Sequence, residues 1–199
     1  MASLRNLVLR NLVLRNRSYR RFDESHRIGR ETLVELIGLA RSTPSAANRQ
    51  PLKHILSVDQ KTNDRIFPCL AWAAYLKDWV GPAPGERPAA YVVILIDETV
   101  TKDWWCDDGI AAQTILLGAV ENGLGGYMIG SINKERLRQE LHIPVHLAIR
   151  LVVALGKPAE QVVLEDLEPG GDIRYWRDQS GVHHVPKRQL AELIVEPGE

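Results

Sequence analysis

The chain has 199 residues, 45% of them hydrophobic and 25% charged, with 25 basic side chains balancing 25 acidic ones. That length suits one domain with a sizeable core, and the neutral balance offers no overall field to draw in nucleic acid or an anionic membrane surface. Cys69 and Cys106 are too few for a disulfide framework and too far apart for a zinc knuckle; no apolar run reaches the roughly 18–20 residues of a bilayer span, and no signal-peptide pattern opens the chain, so a soluble cytoplasmic protein is expected.

Leu4–Asn16 carries the unit Leu-Arg-Asn-Leu-Val twice in tandem and reads as an amphipathic helix. Leu33, Leu36, Ile37 and Ala40 predict a second helix over Glu31–Arg41, stopped by Pro44. Ser42–Pro51, small and polar between two prolines, predicts an ordered loop, and His54–Asp59 a strand. The aromatic and aliphatic spacing of Phe67–Trp79 predicts a helix, ended by the glycine- and proline-rich Gly81–Pro88, and Tyr91–Ile96 reads as a buried strand.

Ile110–Val120 is apolar on nearly every side apart from Gln113 and Thr114, which predicts a core or interface helix. Gly123, Gly125 and Gly126 lead into a short strand at Tyr127–Ile129, Asn133 is placed to cap a helix over Lys134–Leu141, and Pro144 closes it. Ala148–Leu155 predicts a strand; Gly156–Glu199 reads as a polar tail that wraps the body and ends in an amphipathic turn at Gln189–Ile194. Strands interleaved with helices that lack a wet face indicate a single α+β domain over 1–199, with an amino-terminal helix over 1–15, the wrapping tail over 156–199, and a partner subunit completing its core.

Four segments could carry chemistry. Arg17-Ser18-Tyr19-Arg20-Arg21-Phe22 groups guanidinium and hydroxyl donors suited to a phosphate, or forms a solvated basic turn. Pro44-Ser45-Ala46-Ala47-Asn48-Arg49-Gln50-Pro51 sets small residues where a planar ligand could approach the backbone, beside amides able to bond its edge; alone it is equally a rigid turn. Asp107-Asp108-Gly109 opens the apolar helix that leads to Gly123-Leu124-Gly125-Gly126-Tyr127-Met128-Ile129-Gly130, where glycine would let the backbone come close to a ligand. This run lacks the spacing of a dinucleotide fingerprint and leads into a strand, which excludes a Rossmann motif. Val185-Pro186-Lys187-Arg188 is again basic.

In this order and with these intervals the four segments resemble the FMN-dependent nitroreductases, over nearly the whole chain after Asn16, and the ending around Asp172–Asp178 and His183–Arg188 resembles a compact bacterial subgroup of them. The resemblance implies a mostly antiparallel central sheet flanked by helices, and a homodimer with tight, non-covalent FMN at its interface. It implies that Arg17 and Ser18 hold the flavin phosphate with Lys187 and Arg188, and that Arg20 faces the pyrimidine edge of the ring. Pro44, Ser45, Ala46 and Asn48 would come from the other subunit, with Gln50 on the ribityl or ring side, and the backbone N–H groups of Ile129 and Gly130 would lie near the reactive ring nitrogen. Asn16 departs from the pattern, standing where many members have a second arginine.

The implied activity is ping-pong reduction of small electron-poor acceptors, nitroaromatics or quinones, with NADH or NADPH as co-substrate and the flavin carrying the hydride. No catalytic side chain and no metal is required. Reductive dehalogenation, flavin breakdown, or a non-catalytic FMN-binding redox protein are the alternatives, and a lid within Pro68–Arg87 would decide whether either of the first two tasks replaces acceptor reduction. His142 and His146 have helical metal-pair spacing, but Pro144 between them breaks the helix. Adjacent His183 and His184 would point apart on an extended chain. Of the five tryptophans at most one is expected to line the pocket.

Overall fold

The computed structural model describes residues 4–198, with side chains from Val8 onward. In chain order the elements are α1 (Leu4–Arg15), β1 (Phe22–Asp23), α2 (Arg30–Arg41), β2 (Leu52–Ser57), α3 (Gln60–Ile66), β3 (Ala90–Asp97), α4 (Asp107–Glu121), β4 (Gly125–Ile129), α5 (Lys134–Leu141), β5 (Leu147–Pro158), β6 (Val162–Leu167), β7 (Trp176–Arg177) and β8 (His183–Arg188).

The unbroken apolar run of β3 is explained by its place in the middle of the main sheet, covered on both faces. The sheet runs β1-β5-β3-β2, with β4 also on β5, and each of these pairings is antiparallel. Successive side chains alternate between two cores. Val92, Ile94, Val153 and Leu155 pack with Leu33 and Leu36 of α2 and Ala112, Ile115 and Ala119 of α4. Tyr91, Val93, Ile129, Val152 and Ala154 pack with Ile66 of α3, Leu137 of α5 and Trp72. Each fully buried aliphatic side chain contributes about 1.5–3 kcal/mol. The fold is α+β, a mostly antiparallel sheet between layers of helix.

Two of the expected elements lie elsewhere. The helix expected over Phe67–Trp79 lies earlier, at Gln60–Ile66, where the Asp59 carboxylate accepts from Thr62 N at 2.8 Å as its cap. Beyond it come a 3-10 turn at Phe67–Cys69 and irregular chain, because Pro68 lacks an N–H and Ala73 takes a positive φ of 39°. The aromatic spacing serves packing instead: Trp72 stands 5.6 Å from Phe67 and 5.8 Å from Tyr127, ring to ring. The strand expected at His54–Asp59 begins two residues sooner and ends at Ser57, since Asp59 is spent on the cap.

Helix α1 forms but has no single apolar stripe: Val8, Leu9, Val13 and Leu14 are all at least 45% exposed. At 100° per residue a five-residue repeat turns the pattern by about 140° each time, so its aliphatic residues spread round the axis. The side chains of the repeat's first four residues lie outside the described set.

The tail builds a second sheet, β6-β8-β7, with β6 and β8 parallel and β7 antiparallel to β8. At the expected final turn there is a 3-10 turn, Leu190–Glu192, whose apolar residues stay exposed. Among the described residues no helix is long and apolar enough to cross a membrane.

Candidate active site

After α1 the chain runs extended along the free edge of β4. Ser18 bridges Gly126 in parallel fashion, and Tyr19 N donates to Gly126 O at 3.1 Å. The two glycines make this approach possible. A Cβ on Gly125 would stand 2.5 Å from Tyr19 Cδ2 and 2.7 Å from Pro158 Cγ, and one on Gly126 would stand 2.6 Å from Ala154 O. The glycine-rich run was expected to admit a ligand to the backbone; Gly125 and Gly126 are instead filled by the protein itself, whereas Gly130, at the end of β4, is exposed with open space around it.

Pinned this way, Arg17 and Ser18 form one wall of a cleft of about 310 Å³. The second sheet forms the other wall, through Val162 and Leu164 of β6 and Val185 and Lys187 of β8, with Asn16, Arg20 and Tyr175 completing the lining. Among the described residues three cations and no carboxylate face this space. Arg17 Nη2 donates to Val13 O at 2.6 Å, but its Nε is buried without a partner among the described residues. Lys187 enters no ion pair among the described residues. A cleft with unspent cationic donors and a free hydroxyl fits a phosphate group.

Arg188 does not share the cleft. Successive residues of a strand point to opposite faces, and Arg188 reaches out to Glu192 at 3.4 Å.

Arg20 lines the cleft while being only 5% exposed. Its guanidinium lies between the rings of Tyr127, 4.5 Å away, and Tyr175, 4.7 Å away, and Nη1 donates to Ser18 O and to His183 Nε2, each at 3.1 Å. Its Nε is also without a partner among the described residues. Burial, with Arg20 and Arg177 adding to it, pushes the His183 imidazole down to about 4, so the ring is neutral and accepts from Arg20. Much of the Arg20 guanidinium is thus committed to the protein.

Pro44–Gln50 lies apart from the cleft within one chain. Pro44, Ser45 and Gln50 line a separate cavity of about 250 Å³ with Ile37, Leu52, His54 and Asp107. Ala47, Asn48 and Gln50 have φ of 50°, 54° and 50°, a region that side chains disfavour. The buried Asp107 carboxylate holds this shape, accepting from Ser45 Oγ at 2.6 Å and Ala46 N at 3.0 Å, while Gln50 N donates to Ser45 Oγ at 2.9 Å. The side chains of Asn48 and Gln50 are left exposed.

Ile129 is buried, and Gly130 follows it at the strand end. Four residues beyond the Ser18–Gly126 bridge, at a rise of about 3.3 Å each, the Gly130 backbone lies roughly 13 Å along the strand from the cationic wall.

Sequence reasoning missed Tyr127, Tyr175 and His183 as the residues that enclose Arg20, because each approaches from a distant segment. None of the five tryptophans lines the cleft; Trp79 and Trp176 line an open groove beside it with Tyr75. His142 leaves α5 in a left-handed conformation, and both it and His146 are exposed.

The model of the nitroreductase family matches residues 13–157. This chain belongs to the nitroreductase family. A protein of Methanothermobacter thermautotrophicus, provisionally named NADH dehydrogenase/NAD(P)H nitroreductase, is 28% identical over 76% of this chain and 78% of its own length. A Parabacteroides distasonis structure of the same provisional name is 25% identical, with a TM-score of 0.64 over 78% of this chain and 89% of that one. A Clostridium difficile structure described as an FMN-dependent nitroreductase has a TM-score of 0.64 at 21% identity, over 75% and 87% of the two chains, a likeness of fold. As a member of the nitroreductase family the protein is an oxidoreductase. The second sheet lies beyond the matched residues.

Proposed function

We propose that the cleft takes the phosphate of FMN and that the protein is a homodimeric, cytoplasmic, single-domain oxidoreductase, using NADH or NADPH to reduce small electron-poor acceptors such as nitroaromatics and quinones. The observation that carries this reading is the cleft itself, where Arg17, Ser18 and Lys187 converge with no carboxylate among the described residues that line it. A phosphate brings close to two negative charges and rewards several charge-assisted contacts at once. The names of the Clostridium difficile and Methanothermobacter proteins, which mention FMN and NAD(P)H, favour the same cofactors.

When bound, FMN supplies the hydride-carrying ring, and the organic chemistry is its own. The protein's share is binding and electrostatics. Arg17, Ser18 and Lys187 anchor the phosphate. Arg20, held rigid between two tyrosines, would add fixed positive charge beside the bound cofactor. The Ile129 and Gly130 backbone, at the far end of β4, offers N–H groups to the ring. Pro44, Ser45, Ala46 and Asn48, with Gln50, are contributed by the partner subunit, which accounts for a strained, firmly anchored loop that serves nothing in its own chain's cleft. Nicotinamide and acceptor use one pocket in turn.

The test is the absorbance spectrum of the purified protein, then anaerobic addition of NADH or NADPH. A bound flavin that either nicotinamide bleaches is the expected result; a colourless protein that added FMN does not reconstitute would overturn the proposal.

A further inference from the structure

The two walls of the cleft belong to different sheets, and one buried carboxylate lies between their foundations. The Glu160 side chain, in the turn between β5 and β6, is 1% exposed. Its Oε1 accepts from the backbone N–H of Arg20 at 2.5 Å and of Arg21 at 3.1 Å, and its Oε2 accepts from Arg177 Nη2 at 2.9 Å. The residues on either side extend the joint: Ala159 N donates to Arg21 O at 3.0 Å, and Gln161 O accepts from His183 N at 2.9 Å. Arg177 of β7 stands in register with His183 of β8. From His183 the two-residue period of the strand brings Val185 and then Lys187 to the cleft.

We propose that Glu160 is a positioning residue that ties the Arg17–Arg21 segment to the second sheet, so that Lys187 is presented opposite Arg17 and Ser18. A buried carboxylate is stable only while its donors stay in place. Releasing Arg177 leaves Glu160 without a charged donor among the described residues, and at this end β8 is left with the bonds of His183 to Gln161 O and Arg20. The part this plays in cofactor binding rests on the phosphate reading above; the tether itself does not.

Hydrogen exchange on the protein without added ligand tests the tether. Arg177→Met leaves Glu160 on its two backbone donors, and exchange of the His183–Arg188 amides should rise at least tenfold while circular dichroism shows the chain still folded. Unchanged exchange in β8 would overturn the proposal. Glu160→Gln retains an oxygen for the two backbone N–H groups and loses the ion pair, so it should match Arg177→Met; wild-type exchange there also counts against the tether, and separates it from the stacking of Arg177 on Trp79.

FMN titration supplies the second readout. Lys187→Ala and Arg177→Met should each weaken binding about tenfold, the worth of one charge-assisted contact. If Arg177 acts through Lys187, the double variant should be no weaker than either alone by more than about twofold, whereas a hundredfold loss, the product of independent effects, would refute the coupling. Should the wild type fail to take up FMN, the flavin reading falls and the exchange of β8 alone decides for or against the tether.

Discussion

Arg20 and His183 are 163 residues apart in the chain, and Arg20 Nη1 lies 3.1 Å from His183 Nε2. An arginine only donates, so the imidazole accepts at Nε2 and carries its proton on Nδ1. An unfolded chain protonates this histidine near 6.5, the folded protein only near 4. Between those values unfolding takes up a proton, so stability falls as pH drops through the window and is level above it. His54, also held near 4 by burial, acts in the same direction. His184 acts in the other: Glu165, and then Asp178, raise its pKa, and its contribution is present below the unfolded value and lost as pH rises through the folded one. Gln in place of His183 can still accept from Arg20 but does not titrate. Urea midpoints taken from pH 7 to pH 4 should therefore fall less steeply in His183→Gln than in the wild type; parallel curves would count against the neutral, accepting imidazole.

Asp107 bears on the Pro44–Gln50 loop through two direct hydrogen bonds and a third relayed by Ser45. Hydrogen bonds to a charged group contribute about 1.5–3 kcal/mol, comparable with the cost of the left-handed residues they hold in place. Asp107→Ala is expected to lower unfolding stability by about 2–3 kcal/mol and to open the loop to proteolysis near Ala47 before the rest of the chain is cut. Asp107→Asn, which can still accept one of the bonds, should fall between. Loop cleavage at the wild-type rate in Asp107→Ala would show that the loop holds its shape unaided.

What could be read in the sequence follows from where each element draws its stability. Tyr91–Ile96 was legible because burial on both faces leaves an unbroken apolar run, and Asn133 because a cap is local: its side chain accepts from Arg136 N, three residues on. The five-residue repeat of α1 misled because its composition is that of an amphipathic helix while its period is not. Phe67–Trp79 misled because aromatic residues serving the core from irregular chain keep a helix-like spacing. The strands of the second sheet are short and charged, and their partners are remote: Glu160 with Arg177, His184 with Glu165. In the site, Arg17, Ser18 and Lys187 were legible as chemistry, but the pairing of Ser45 with Asp107, 62 residues away, leaves no local trace.

Gly126 tests whether the glycine run serves packing. A Cβ there would meet the carbonyl oxygen of Ala154 at 2.6 Å and the side chain of Leu155 at 2.9 Å. The backbone cannot retreat without breaking the β4–β5 ladder, in which Gly126 faces Leu155. Gly126→Ala should cost about 1–3 kcal/mol, as overpacking of a close-packed interior does, which for a chain of this size lowers Tm by several degrees. Gly130→Ala, whose Cβ would find only Leu151 Cδ2 at 3.9 Å, should leave Tm within about a degree. Equal shifts in the two variants would mean that room for a Cβ is not what separates the two positions.

Lys187 and Arg188 are neighbours of equal charge, and only the strand they share tells them apart. Lys187 lines the cleft; Arg188 faces Glu192. If the cleft holds the FMN phosphate, Lys187→Ala should weaken FMN binding about tenfold, and Arg17→Ala by a similar factor, since each removes one charge-assisted contact. Arg188→Ala removes an exposed ion pair worth about 0–1 kcal/mol and should change affinity less than threefold. Flavin fluorescence titrations at fixed ionic strength would measure all three. A loss at Arg188 equal to that at Lys187 would mean that the phosphate responds to the summed charge of β8 and not to the one side chain its register turns inward.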